Sequence, residues 1–243
     1  MGYAAPLDGE VGHWWRKPFG MLQTNLREID VDMSVDDVAS YIEQYGADAW
    51  LISIGGIQAQ YPTELSFHTK NPHVEQRKSG DLISDALDAA RSKGLRLLAR
   101  MDFSKVSEST AAEHPEWCFK SPTGNLQKHT GDLVSACPSA GYYQERIFET
   151  LEEVTRRYPV DGFFINWTTM NEEDYYKRYH GVCHCESCQS RWATHSGGLE
   201  LPKGPSDDNY AEWLQFSREG TVRFLVSSNM IKVTDTGIQS LTS

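Results

Sequence analysis

The 243-residue chain has no apolar run longer than a strand. Its longest stretches, such as Ala49-Trp-Leu-Ile-Ser-Ile, fall far short of the roughly 20 residues that cross a bilayer, which excludes a helical membrane span. Basic residues are in deficit, 23 Lys and Arg against 34 Asp and Glu, for a net charge of -11. Phosphate backbones demand clustered Lys and Arg, so nucleic acid is excluded as a partner. Neither G-x-G-x-x-G nor a Walker A sequence occurs, and Gly55-Gly56 replaces neither. The first ten residues lack a basic n-region and an apolar h-region, so no signal peptide is expected. Cysteine is scarce and odd in number: five in all, three of them crowded together. That is no disulfide framework, and clustered free thiols fit a reducing compartment, so a cytoplasmic location is expected.

What is present is an alternation of strands and helices. Phe19 to Leu26 reads as a short buried strand. Ser34 offers an N-cap to a helix over Val35 to Tyr45, with Val35, Val38, Ile42 and Tyr45 at helical spacing and Gly46 at its end. Ala49 to Ile54 is a second strand and Asp81 to Lys93 a second helix, stopped by Gly94. Leu95 to Phe103 is a third strand. A loop rich in Gly, Pro and His leads to a helix over Tyr142 to Tyr158, and Val160 to Trp167 is the fourth strand. A last helix is expected from about Asp208 to Val226.

Such alternation implies parallel βα units with right-handed crossovers. Four units in this order suit half of a TIM-barrel-like (β/α)8 fold, whose complete form takes about 250 residues. The expected organisation is an N-terminal extension over 1–18, a partial barrel over 19–226 and an irregular tail over 227–243, the whole reading as a fragment. A complete small doubly wound sheet is the other architecture, but its usual nucleotide signature is missing. An open half barrel exposes strand edges, so homo-oligomerisation is expected if the chain stands alone.

Cys183, Cys185 and Cys188 stand at C-x-C-x-x-C spacing, which brings three thiols onto one soft tetrahedral ion. A structural zinc needs a fourth ligand, for which Cys118, Cys137 and His184 are candidates. A redox role fits less well, because no C-x-x-C pair opens a helix after a thioredoxin-like first strand.

In parallel α/β folds the reactive groups lie at the C-terminal ends of strands and in the loops beyond. That places Asn25 after strand one and His68 in the loop after strand two. Arg100 and Asp102 alternate to one side of strand three, and Asn166-Trp167 ends strand four. Polar strand ends with Trp, Tyr and His nearby suit a carbohydrate site, since aromatic faces stack on pyranose rings. Glycosidic cleavage generally uses two carboxyl groups, and Asp102 and Glu172 are the candidates here. Simpler readings exist: Arg100 with Asp102 as a structural ion pair, Glu172-Glu173-Asp174 as a solvated helix start, Asp161 as a turn residue.

Met21-Leu-Gln-Thr-Asn-Leu-Arg-Glu-Ile-Asp, Arg100-Met-Asp-Phe-Ser-Lys, His114-Pro-Glu-Trp, Tyr158-Pro-Val-Asp-Gly-Phe-Phe-Ile-Asn-Trp and Tyr179-His-Gly-Val-Cys-His-Cys-Glu-Ser-Cys together resemble the hypothetical glycosyl hydrolase 6 family, over about residues 17 to 225. The resemblance implies the N-terminal part of a glycosidase-like barrel related to α-L-fucosidase-type and family 42 β-galactosidase-type enzymes. Asn25, His68, Arg100, Asn166 and Trp167, at strand ends or in the loops beyond them, are expected as sugar contacts. The family 42 enzymes hold a structural zinc with a C-x-C-x-x-C run and one upstream Cys-Pro cysteine, which implies Cys137 as the fourth ligand beside Cys183, Cys185 and Cys188. Those galactosidases end strand four in Asn-Glu where this chain has Asn166-Trp167, so a further catalytic carboxylate is expected outside these four strands.

Overall fold

A computed structural model describes residues 14–227, 232–234 and 237–239. Most of the extension predicted over 1–18 lies outside the described residues, as do 228–231, 235–236 and 240–243 of the predicted tail. In chain order the elements are β1 (Met21–Thr24), α1 (Val35–Gln44), β2 (Ala49–Gly56), α2 (Leu82–Ser92), β3 (Arg96–Asp102), β4 (Lys105–Ser107), α3 (Glu108–Glu113), β5 (Lys128–Thr130) and β6 (Leu133–Ser135). There follow a π-helical turn (Tyr142–Arg146), α4 (Ile147–Arg157), β7 (Gly162–Asn166), α5 (Glu186–Ser196), α6 (Tyr210–Ser227), β8 (Lys232–Thr234) and β9 (Gly237–Gln239).

The chain divides into two compact units. Among the described residues, the first comprises 14–101, 151–165, 232–234 and 237–239; the second comprises 102–150 and 166–227. Along the sequence, the second unit starts at the last residue of β3 and again at the last residue of β7.

The first unit is built on a parallel sheet in the order β1-β2-β3-β7. Met21 pairs with Ala49 and Thr24 with Ile52, which sets the β1–β2 register. All eight residues of β2 are buried, as a central parallel strand covered on both faces requires. The sheet does not close into a barrel among the described residues: β1 and β7 are its edges. Apolar side chains stand exposed there, Met21 and Leu22 on β1 and Phe164 on β7. Local chemistry explains the helices. The Ser34 hydroxyl accepts from the Asp37 N–H, while Val35, Ala39 and Ile42 face inward. Asp81 accepts from the N–H groups of Ile83 and Ser84 at the start of α2, and such a cap contributes about 1 kcal/mol. Gly46 and Gly94 end the two helices at φ 70° and 67°, a region that costs other residues strain. Asp161, read from sequence as a turn residue, accepts from the Leu97 N–H and pairs with Arg91 at 2.7 Å, fixing the start of β7.

In the second unit, the stretch predicted as a loop carries structure of its own. β4, β6 and β5 form a three-stranded antiparallel sheet, and α3 starts on a Ser107 cap. A separate apolar core gathers Phe119, Val182, Trp192, Leu201, Trp213 and Phe216 around four buried cysteines. Trp192 and Trp213 pack edge to face there, their ring centroids 6.1 Å apart. The segment read as an irregular tail contains β8 and β9, paired antiparallel with each other. Among the described residues, no helix is long and apolar enough to cross a membrane.

Candidate functional site

Asp102 ends β3, and its carboxylate is gripped on both oxygens. Oδ2 accepts from the Asn166 side-chain amide at 2.8 Å. Oδ1 accepts from the Ser104 N–H at 3.1 Å and from the Ser104 hydroxyl at 2.5 Å. Ser104 in turn accepts from the Lys105 ammonium at 2.7 Å. A lysine, a serine and an asparagine therefore hold one largely buried carboxylate in place. Asn171 donates to the Ser104 carbonyl at 3.3 Å and fixes the turn beneath it. Burial, with the nearby Asp102 charge, pushes the Tyr142 and Tyr143 hydroxyls well above the ordinary phenol range. The π-helical turn brings these two adjacent tyrosines inward together, an irregularity common at functional sites.

Trp167 follows Asn166 with φ 53°, a left-handed conformation that costs a bulky residue about 1–3 kcal/mol. Its carbonyl accepts from the Tyr143 hydroxyl at 3.1 Å, which holds that conformation. The indole is 53% exposed and the Lys105 ammonium lies 5.4 Å from its ring centre. Trp167 lines an open groove of about 670 Å³ together with His129, Met170, Glu173, Tyr175 and Leu214. The groove offers aromatic and apolar walls with carboxylate, amide and ammonium groups between them, a surface suited to a polyhydroxylated ring.

Glu172 also lines the groove but is fully engaged. Its Oε2 accepts from the hydroxyls of Tyr179 at 3.0 Å and Tyr210 at 2.8 Å, and its Oε1 from the Trp213 indole N–H at 2.6 Å. The sequence read Glu172-Glu173-Asp174 as a helix start in solvent. Instead the segment is an irregular loop whose Asp174 is buried and bonded to Arg178 and His180. Three aromatic donors make Glu172 an anchor for α6.

The other expected sugar contacts lie in the first unit. Asn25 is exposed just after β1, and Arg100 is half-buried on β3. His68 is buried, and its Nε2 accepts from the Gly56 N–H at 3.2 Å. That bond places the neutral ring's proton on Nδ1, which finds no partner among the described residues. Burial lowers the His68 pKa to about 4, partly opposed by Glu153. A Cβ on Gly55 would come within 3.0 Å of the His68 ring and 3.1 Å of the Met101 methyl, so a side chain there would press on both.

Four cysteines converge as a closed set. The sulfurs of Cys137, Cys183, Cys185 and Cys188 are buried and lie within 4.8 Å of one another, close enough to hold a metal ion. Cys137 Sγ lies 3.4 Å from Cys188, 3.5 Å from Cys185 and 3.7 Å from Cys183. Tetrahedral bonds of about 2.3 Å put sulfurs about 3.8 Å apart, so this donor set fits a tetrahedral thiophilic ion. Hydrogen bonds with Cys137 and Cys183 push the Cys185 thiol far below its ordinary range, and those with Cys183 and Cys185 raise Cys137. The two alternative ligands stand apart. Cys118 donates to the His114 carbonyl at 3.7 Å, its thiol pushed up to about 12 by burial. The His184 Nδ1 is 3.0 Å from the Val182 carbonyl oxygen.

Sequence reasoning had no means of finding Ser104 and Lys105 as supports of Asp102. The run Asp102-Phe-Ser-Lys105 carried them, but only the turn after β3 folds Ser104 back onto the carboxylate.

The sequence profile of the family described as hypothetical glycosyl hydrolase 6 matches residues 34–167. No curated protein matches the sequence. Among solved structures, α-L-fucosidase isoenzyme 2 from Paenibacillus thiaminolyticus is similar at TM-score 0.55 and 15% identity, over 86% of this chain and 30% of that one. A hypothetical protein from Ruminiclostridium thermocellum is similar at TM-score 0.53 and 12% identity, over 86% of this chain and 90% of that one. The chain thus spans under a third of the fucosidase. At these identities the likeness is one of fold: a TIM-barrel-like glycosidase architecture, here a partial barrel.

Proposed function

Because the chain belongs to the hypothetical glycosyl hydrolase 6 family, we propose that it is the N-terminal part of a glycoside hydrolase of the α-L-fucosidase or β-galactosidase type. In this reading Asp102 is the carboxyl group this segment brings to the reaction. In the second unit Asn166 and Trp167 address the sugar; Arg100, His68 and Asn25 are proposed sugar contacts of the first unit, and the carboxylate that completes the pair lies outside the described strands. The observation that carries the reading is Asp102 itself, held by Asn166 and Ser104 at a strand's C-terminal end in the unit that also presents Trp167. A carboxylate fixed on both oxygens needs no reorganisation to act at an anomeric carbon.

The cysteine set is proposed to hold zinc as a closed structural site. Four thiolates leave no open position for catalysis, so zinc there would brace the core of the second unit and supply no reaction step.

The full-length protein, assayed against nitrophenyl α-L-fucosides and β-D-galactosides, should release nitrophenol. Absence of turnover on every glycoside by a correctly folded protein would sink the hydrolase reading. A second reading, a sugar-binding domain without turnover, is favoured by the end of β7, where Trp167 follows Asn166 in place of a carboxylate. Sugar binding without hydrolysis by the full-length protein distinguishes it.

A further inference from the structure

Three carboxylates line the groove that Trp167 borders, and each is already matched. Glu172 accepts from two tyrosine hydroxyls and an indole N–H, and Asp174 is bonded to Arg178 and His180. Glu173 lies 3.7 Å from the Lys177 ammonium. One charged side chain of the groove is left over. Arg218, exposed on α6, makes neither an ion pair nor a side-chain hydrogen bond among the described residues. The chain holds 34 Asp and Glu against 23 Lys and Arg, so carboxylates are abundant, yet none is set against this guanidinium. Lys177 stands in the same groove on a turn of fixed shape. Its φ is 64°, and Asp174 Oδ1 holds the turn by accepting from the N–H groups of Tyr176 at 2.8 Å and Arg178 at 3.0 Å. Tyr175 on that turn is well exposed, so with Trp167 the groove offers two open aromatic faces.

We propose that Arg218 makes this groove a subsite for an acidic sugar, its guanidinium pairing with a sulfate ester or carboxylate carried by the saccharide. The inference rests on the carbohydrate reading of the groove and adds to it the charge of the ligand. A guanidinium presents N–H donors in a rigid fork that matches two oxygens of one oxyanion, a pair that sulfate and carboxylate share. Neutral hydroxyls can meet the fork but leave its charge uncompensated. Lys177, already beside Glu173, adds a second positive group to the groove. The net charge of -11 repels anions at long range, so a preference for an acidic sugar must arise from these groups at contact distance.

The test measures binding to the full-length protein by titration calorimetry, with melting temperatures in parallel. The probes are sulfated fucose and galactose oligosaccharides, each against its desulfated form, and galacturonate oligosaccharides against their methyl esters. Wild type, Trp167→Ala, Arg218→Gln and Arg218→Lys are compared. Wild type should bind at least one acidic probe about tenfold or more tightly than its neutral form, the scale of a charge-assisted hydrogen bond. Whether sulfate or galacturonate shows this ratio identifies the source of the anion. Trp167→Ala should weaken that binding. In Arg218→Gln the ratio should fall to about one with the melting temperature unchanged, and Arg218→Lys should keep part of it. Equal affinity for acidic and neutral forms in the wild type overturns the subsite and leaves the groove reading standing. A ratio retained in Arg218→Gln also overturns it, since the charge would then be read elsewhere. So does a ratio lost together with melting temperature in both Arg218 variants, because the side chain would then be structural. No binding of any probe by the wild type overturns the subsite and the groove reading together.

Discussion

The Asn166 side-chain amide donates to Asp102 at 2.8 Å, joining the last residue of β7 to the last residue of β3. Two strand ends adjacent in the sheet thus present one polar pair, and the carboxylate depends on that partner for its orientation. Asp102→Asn should leave the secondary structure intact by circular dichroism. It should lower glycoside turnover by the full-length protein about 100-fold or more, the scale of a lost acid, base or nucleophile. Unchanged turnover would remove Asp102 from the chemistry.

Trp167 offers a separable test. Trp167→Gly relieves the left-handed strain and removes the aromatic face at once. The variant should be as stable as wild type or more so in urea, while losing sugar affinity. A stability loss of several kcal/mol would show the indole to be a packing element.

For the cysteines, Cys137→Ser should lower the metal content found by elemental analysis and shift the emission of Trp192 and Trp213, which pack in the same core. Cys118→Ser should leave metal content untouched. Equal metal loss in both variants would contradict the four-ligand assignment.

His68 makes stability depend on pH. Its folded pKa, about 4, lies below the ordinary 6.5, so between these values the unfolded chain binds the extra proton. Stability conferred by the neutral ring is complete above pH 6.5 and is lost as pH falls towards 4, by up to about 3 kcal/mol. His68→Gln, which can still accept from Gly56, should flatten this slope in denaturant titrations. A wild-type slope retained in the variant would assign the proton uptake elsewhere.

Glu172→Gln replaces an acceptor-only group with one whose amide nitrogen opposes the aromatic donors. It should destabilise the second unit by about 1–3 kcal/mol, read from urea unfolding followed by tryptophan emission. Wild-type stability would show that the three bonds do not anchor α6.

The elements that sequence made legible are those whose signals are local and long. Ser34 and Asp81 mark the starts of α1 and α2 with their own side chains, and the glycines that follow mark the ends. The small β4-β6-β5 sheet escaped because strands of three residues are too short to show a period of two. α5 escaped because Cys185 caps it in place of the usual Ser, Thr, Asp or Asn. The π-helical turn and α4 share one apolar pattern and read as a single helix. At the candidate site, strand ends pointed to Asp102 and Asn166, whereas Ser104, Lys105 and His129 acquire their positions from a turn and a cross-strand register. Neither is encoded in residue type alone.

The Cys185 sulfur accepts from the Cys188 N–H at 3.4 Å, so one atom of the metal-ligand set is also the cap of α5. An isolated eleven-residue helix is marginal in water because its first turn is costly to form. Ligation of Cys185 and Cys188 by one ion would fix that turn in advance and leave only propagation to the chain. Metal supply would then act as a folding input: a cell short of the ion would accumulate this protein with α5 and its surrounding core unformed, in a form open to proteolysis.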